Sequence, residues 1–206
     1  MADRRHGRPA PPTESTVSSE DWDGRDLSGQ EHTRVEFVDV DLTETSGRSA
    51  VFTECLFRGV RFNASSYTDS AFVNCAFVRC SFFDTTFTGC KLVGGLFDGC
   101  TYGLLKAEGG DWSFTGLPGA DLRGSSFRRV RMREADLTGA RLQKASLREV
   151  DFSGASLHKA DLSECDLRGS DLSSLDPHTT VLTRAVIDPY QAVVLAQALG
   201  LEVQEA

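Results

Sequence analysis

Several kinds of chemistry-bearing side chain recur in this 206-residue chain at multiples of five. Six cysteines, Cys55, Cys75, Cys80, Cys90, Cys100 and Cys165, could supply disulfides or a zinc site. His158 and His178 lie 20 residues apart and could share a metal ion. Arg128, Arg148 and Arg168 repeat at the same spacing and could hold an anion. Acids crowd one stretch. Asp21, Asp23, Asp26, Glu31, Glu36, Asp39, Asp41 and Glu44 face only Arg25 and Arg34, a net of −6 in a chain whose total is −8. No serine, cysteine or histidine constellation for nucleophilic catalysis is visible, nor a phosphate-cradling glycine loop. Neither enzymatic activity nor a bound cofactor or metal is expected.

The elements that position these groups announce themselves in the apolar residues. Stepping by five from Leu27 to Ile187, 29 of 33 positions hold Leu, Phe, Tyr, Trp, Met or Ile, and His32, Gly47, Ala107 and Pro177 are the exceptions. A period of five fits neither a helix at 3.6 nor a strand at 2. Each group of five therefore contributes one large core side chain and turns a corner, which is the mark of a repeat architecture. Two residues before each large centre stands a small one, as in Ala135-Asp136-Leu137-Thr138-Gly139 and Ala160-Asp161-Leu162-Ser163-Glu164. Two side chains of five point inward and three point outward.

This frame reassigns the chemistry. All six cysteines fall on the small inward position, where a free thiol serves as a small buried side chain, and reduced thiols fit a cytoplasmic compartment. Residues 20 apart stack on successive coils, so Asp121, Arg141 and Asp161 form one column of alternating charge, and Asp111, Arg131 and Asp151 another. No carboxylate or thiol completes a metal set around His158 and His178. Asp166, Glu149 and Glu164 lie near enough to neutralise the arginine column.

On these residues the chain resembles the pentapeptide-repeat family, over roughly Asp26 to Asp188. The resemblance implies an all-β fold, a right-handed quadrilateral parallel β-helix with four pentapeptides in each 20-residue coil. About eight coils spaced by about 4.8 Å would make a rod roughly 40 Å long. The expected organisation is a disordered Arg-, Pro- and Ser-rich tail over residues 1–20, carrying Arg4, Arg5 and Arg8, then a β-helix over 21–187 and a helix and tail over 188–206. No apolar run suits a signal peptide or a membrane span. Phenylalanine centres dominate before residue 100 and leucine centres after 115, and the degenerate stretch Tyr102 to Gly119 predicts a bend or irregular coil. His32 and Gly47 are weak centres that predict loosely packed first coils. At the other end, Asp188 and Pro189 open a short helix that Gly200 stops. Tyr190, Val193, Val194, Ala198 and Leu201 form its apolar face, either a lid on the last coil or a twofold dimer contact.

Within the family, the Cys- and Phe-rich first half, the Leu-rich second half beginning near Ala120-Asp121-Leu122-Arg123-Gly124, and the ending Val186-Ile187-Asp188-Pro189-Tyr190 are similar to the MfpA and Qnr group. That resemblance implies a homodimer joined through the C-terminal segment. It also implies an acidic rod that imitates duplex DNA toward DNA gyrase or another type II topoisomerase, with consequences for quinolone action. Such a protein would not bind nucleic acid directly, since its negative surface repels phosphates. Asp26, Glu31, Glu36, Asp39, Asp41 and Glu44 are the candidate partner-binding acids. Two other readings stay open on the residues alone. The acids could merely keep a β-solenoid soluble and guard its edge, or the outward apolar residues Val51, Leu56, Val73, Val78, Phe83, Val93 and Leu96 could serve a scaffold with another partner.

Overall fold

The computed structural model describes residues 12–204, and the tail arginines Arg4, Arg5 and Arg8 lie outside them. The chain winds into a parallel β-solenoid whose pairing always joins residues 20 apart, such as Phe37 with Phe57 and Phe57 with Phe77. Each coil has four faces, named here by the centres of one coil: His32, Phe37, Leu42 and Gly47. The Phe37 face stacks five strands, Ser15–Ser18, Val35–Val38, Leu56–Arg58, Ala76–Val78 and Leu96–Asp98. The Gly47 face stacks six, from Ser46–Arg48 to Ser146–Arg148. The His32 and Leu42 faces have shorter strand stacks, continued by single bridges such as Asp111 with Arg131 and Asp121 with Arg141.

Corners follow each face, and the chain turns them in the left-handed region. Asp39, Glu44, Glu54 and Asp69 have φ between 51° and 54° there. Such angles cost a side-chain-bearing residue energy that the ladder on either side must offset. Gly110 shows the requirement most sharply. Its φ is +88°, and a Cβ built there would lie 2.1 Å from the Cys90 carbonyl oxygen.

The large centres form one continuous core. Phe37, Phe57, Phe77 and Phe97 stack face to face at 4.9, 5.0 and 4.6 Å. Rings on neighbouring faces meet edge-on, as Phe62 and Phe77 do at 5.9 Å. Each such fully buried ring stabilises the coil by about 1.5–3 kcal/mol.

The weak centres are filled rather than loose. A Cβ on Gly47 would meet the Tyr67 ring at 2.9 Å, so Tyr67 occupies that layer, and its hydroxyl lies 3.0 Å from Thr45 Oγ1. Ala107 is likewise covered by Trp112, whose indole reaches Phe87 and Phe127 edge-on at 5.5 Å each. His32 stacks on Phe52 at 5.1 Å.

The small inward column does more than save space. Cys75 Sγ donates to the Phe52 carbonyl 23 residues back, Cys80 to Phe57, Cys90 to Tyr67 and Cys165 to Leu142. Ser70, Thr85 and Ser170 make the same bond with hydroxyls. The column thus ties each coil to its predecessor through a side-chain donor. All six cysteines are free thiols, and Cys100 is the one among them that is half-exposed.

One boundary differs from expectation. Ser15–Ser18 is a strand paired with Val35–Val38, so the solenoid begins inside the stretch expected to be tail. Val17 and Trp22 stand in the five-residue frame and pack on the core, which is the physical reason. The irregularity expected at residues 102–119 is local: the 20-residue register holds on both sides of the Leu42 face, through Leu96 with Gly116 and Lys106 with Ser126, while on that face Thr101–Gly103 pairs only backward, with Ser81–Phe83.

Candidate functional site

The sequence-predicted acids ring the rod near its first coils, on every face. Asp26 lies on the Gly47 face, exposed, with its carboxylate accepting from the Ser28 backbone N–H at 2.9 Å and Oγ at 2.6 Å. Those bonds lower its pKa. Glu31 is exposed on the His32 face. Glu36, on the Phe37 face, is half-buried and accepts from Arg58 at 3.3 Å. Asp39 stands exposed at the next corner, with its carboxylate packed over Gly59. Asp41, on the Leu42 face, accepts from Arg61 at 2.5 Å and from Thr43, and the Arg61 hydrogen bond is the main force holding its pKa down to about 2. Glu44 is exposed at the following corner.

The structure therefore brings these six into a girdle, not a stripe. Glu31, Asp39 and Glu44 make no ion pair with any described residue. Four acids that the tail reading left aside or did not select join them. Asp21 bridges Asp41 one coil below. Glu20 accepts from Trp22 Nε1 at 2.7 Å, Glu14 pairs with Arg34 at 2.6 Å, and Asp23 is exposed. Val17 and Trp22 in frame were the signal that these residues belong to the rod.

The charge is graded along the axis. Residues 12–60 hold eleven acids against four arginines, a net of −7, whereas residues 121–188 hold eleven of each sign. In that second half each expected column pairs at one of its two steps, Arg141 with Asp121 at 3.0 Å and Arg131 with Asp111 at 3.2 Å, whereas Asp151 turns to Arg133 at 2.5 Å and Asp161 to Gln143 at 2.6 Å. The arginine column is also neutralised, with Arg168 on Asp166 at 2.8 Å and Arg128 near Glu149 at 3.7 Å.

At the other end, α1 spans Pro189–Ala198. Asp188 caps it, accepting from the Gln191 backbone N–H at 2.9 Å while the Gln191 side chain accepts from the Asp188 N–H at 2.9 Å. This is a reciprocal capping box. Gln191 is buried, and its Nε2 donates to the carbonyls of Leu167 and Ser170 at 2.6 and 2.7 Å. Together with Leu195, which packs on the core, it closes the last coil. Sequence reading overlooked Gln191 because a glutamine within a helix advertises no tertiary role. Of the predicted apolar face, Val193 and Val194 are half-buried, and Tyr190, Ala198 and Leu201 are exposed. Val181, Val186, Leu199 and Val203 add further exposed apolar surface at this end.

Among the described residues, no group of three or more His, Cys, Asp or Glu side chains is disposed to hold a metal, and no helix is long and apolar enough to cross a membrane.

Comparison with known proteins agrees with the coil geometry. The profile for Pentapeptide repeats matches residues 113–143 and 135–173, and that for the SV2A/B/C luminal domain matches 20–102. The pentapeptide repeat protein MfpA of Mycobacterium tuberculosis is 37% identical over 94 residues, 46% of this chain and 51% of MfpA, so the chain spans about half the length of the curated relative it matches. Among solved structures, full-length QnrB1, a plasmid-mediated fluoroquinolone resistance protein, superposes with a TM-score of 0.73 at 20% identity, covering 92% of this chain and 99% of QnrB1. A trypsin-treated QnrB1 variant superposes with a TM-score of 0.60 at 17% identity, over 95% of this chain and all of that one. At these identities the structures speak for the fold, and the repeat frame and the MfpA match speak for the sequence. The chain thus carries pentapeptide repeats over residues 113–173, is similar in sequence to MfpA and shares the fold of QnrB1.

Proposed function

We propose that this chain is a non-enzymatic docking protein that binds DNA gyrase, or another type II topoisomerase, through its acidic girdle. It does so as a local imitation of duplex DNA, and as a dimer joined at the helical end. The observation that carries the reading is the grading of charge. Residues 12–60 make about two and a half coils, a length of about 12 Å at about 4.8 Å per coil. Duplex DNA carries one charge per about 1.7 Å, or about seven over that length, and this segment carries −7. Charge density thus equals that of DNA over the first coils and vanishes over residues 121–188. A basic surface that normally holds phosphates would meet a matching field in the girdle. The exposed apolar cluster of Val181, Val186, Tyr190, Leu199 and Leu201 gives a second copy a patch to cover.

The test is a supercoiling assay with purified gyrase, with and without a fluoroquinolone, alongside binding measured from low to high salt. Inhibition of supercoiling or relief of drug poisoning is expected, with affinity falling steeply as salt rises. Glu31→Lys together with Glu44→Lys should weaken binding at least about tenfold, because neither acid has an internal partner to lose. Affinity unchanged by salt would sink the electrostatic reading. A second reading, a scaffold for another partner, is favoured by Phe83 and Leu104, exposed by 55% and 53% on the side of the rod. No effect on gyrase at micromolar protein, with Phe83→Ser abolishing capture of some other partner, would establish it.

A further inference from the structure

We infer that the rod contains a hinge, at the junction between the coil carrying Cys100 and Tyr102 and the coil carrying Ala120 and Leu122. It opens on the Leu42 face. The inference does not depend on the identity of the partner.

The observation is a local break in the interior of the ladder, distinct from the one in the last coils, where Phe152, Gly154 and Leu157 lack their backbone partners at Asp171, Ser173 and Asp176. One coil earlier, Arg79 N–H donates to the Asp98 carbonyl at 2.8 Å, Thr101 to Cys80 at 2.9 Å and Asp84 to Gly103 at 2.6 Å. One coil later, Gly119 donates to Thr138 at 2.8 Å, Leu122 to Arg141 at 2.8 Å, Gly124 to Gln143 at 3.2 Å and Arg141 to Ala120 at 2.9 Å. The equivalent bonds at the junction would run from Gly99 to Pro118, Tyr102 to Asp121, Leu104 to Arg123 and Asp121 to Cys100. None of the four forms. The break is bounded on both sides. Before it, Phe97 donates to Gly116 at 3.0 Å, and after it Ser126 donates to Leu105 at 2.9 Å. Opposite, the His32 face stays closed, with Leu92 donating to Asp111 at 2.8 Å and Trp112 to Arg131 at 2.7 Å.

The interior shows the same opening. Cys100, Tyr102 and Ala120 point inward yet are half-exposed, whereas Cys80, Phe82 and Ala140 in the same columns are buried. Trp112 supplies the cause. Its indole lies parallel over Phe97 at 6.2 Å, wider than the 4.6–5.0 Å of the Phe37 stack, because it also spans the layer left thin by Ala107. Its Nε1 is buried without a partner, as expected of a ring placed for volume rather than for a hydrogen bond. An oversized ring near the closed face, and an unbonded ladder on the opposite one, make a wedge. The two stacks can tilt about the His32 face with no backbone bond on the Leu42 face to resist them. The acidic girdle lies in one stack and α1 in the other, so the tilt sets the angle between the two ends.

Hydrogen exchange on the full chain tests the hinge. The amides of Gly99, Tyr102, Leu104 and Asp121 should exchange at least about tenfold faster than those of Arg79, Phe82, Asp84 and Thr101. Equal protection would overturn the proposal. A staple provides the second arm. Ala120→Cys, in a Cys80→Ser background, faces native Cys100 across the opening. In a closed junction their Cα atoms would stand about 5 Å apart, within the range a disulfide bridges. Oxidation by glutathione disulfide should join them, as peptide mapping would show, and should slow the four amides to the rate of their neighbours. The reduced protein serves as its own control for folding. A disulfide that never forms would mean that the junction does not close, and one that forms without slowing exchange would mean that the opening is not where the stacks move. Either result overturns the hinge.

Discussion

The clearest place to break the rod is Gln191. Its side chain is 2% exposed, and a single nitrogen donates to two carbonyls of the last coil, Leu167 at 2.6 Å and Ser170 at 2.7 Å. Gln191→Ala removes both donors and also the acceptor for the Asp188 N–H. An orphaned buried carbonyl costs about 1–3 kcal/mol. Because this coil is terminal, water reaches the vacated site, so the low end of that range applies to each and the loss should be about 2–3 kcal/mol. Gln191→Glu is the sharper variant. A carboxylate cannot donate to carbonyls, and burial raises its pKa above the unfolded value of about 4.3. A group with a raised folded pKa stabilises fully below the unfolded pKa, and that contribution is lost as pH rises through the folded pKa. The deficit of Gln191→Glu relative to the parent should therefore be large at pH 7–8 and should shrink toward pH 4, where the protonated acid regains one bond. Other carboxylates titrate equally in both proteins and cancel in the difference. Denaturant unfolding at several pH values gives the totals, and hydrogen exchange at Val186 and Asp166 shows whether the loss is confined to the end, as a linear repeat array allows. A Gln191→Ala deficit below about 0.5 kcal/mol, well under the cost of one orphaned carbonyl, would refute the plug. A Gln191→Glu deficit that ignores pH would do the same.

Further outcomes follow from the coil geometry. Gly110→Ala should cost more than about 3 kcal/mol, since left-handed strain adds to a collision with the Cys90 carbonyl, whereas Gly109→Ala, with φ +65° and nothing within 4 Å of its Cβ, should cost about 1 kcal/mol by thermal or denaturant unfolding. Cys75→Ser should stay within about 1 kcal/mol of the parent, because serine already makes the same bond elsewhere in the inward column; a loss of several kcal/mol would show that thiol volume, not donation, matters there. Burial lowers the His32 pKa, so stability should be complete above its unfolded value of about 6.5 and should fall as pH drops below it. His32→Phe should remove that slope between pH 5 and 7, measured by unfolding at stepped pH.

The five-residue frame made the architecture legible because each coil repeats one rule: large residue in, corner out. The same rule places the cysteines inward and stacks the charges in columns. It gave the C-terminal helix as well, since Asp188, Pro189 and Gly200 act locally. Where reading fell short, the missing information lay between coils. Gly47 and Ala107 look like defects in one dimension, and their filling depends on rings from elsewhere in the winding, Tyr67 from the next coil of the same face and Trp112 from the His32 face. The thiols read as small apolar side chains, but their role as donors needs the carbonyl 23 residues back. The start of the rod was misplaced because Ser15–Ser18 is polar and Val17 alone marks it. For the acids, sequence supplied their number and neighbourhood, and their distribution over all four faces emerged only from the winding.

The plug at Gln191 also decides how long the object can be. Every interior coil presents to the next the same row of backbone donors and acceptors, so nothing in the repeat itself says where to stop. A parallel stack exposing such a row at one end and accepting it at the other is a template for head-to-tail growth, an open-ended contact that never closes on itself. By occupying the Leu167 and Ser170 carbonyls, the Gln191 amide withdraws two acceptors that such growth would use. Loss of that amide would thus threaten not only stability but finiteness, and filaments lengthening from the α1 end would be its visible trace.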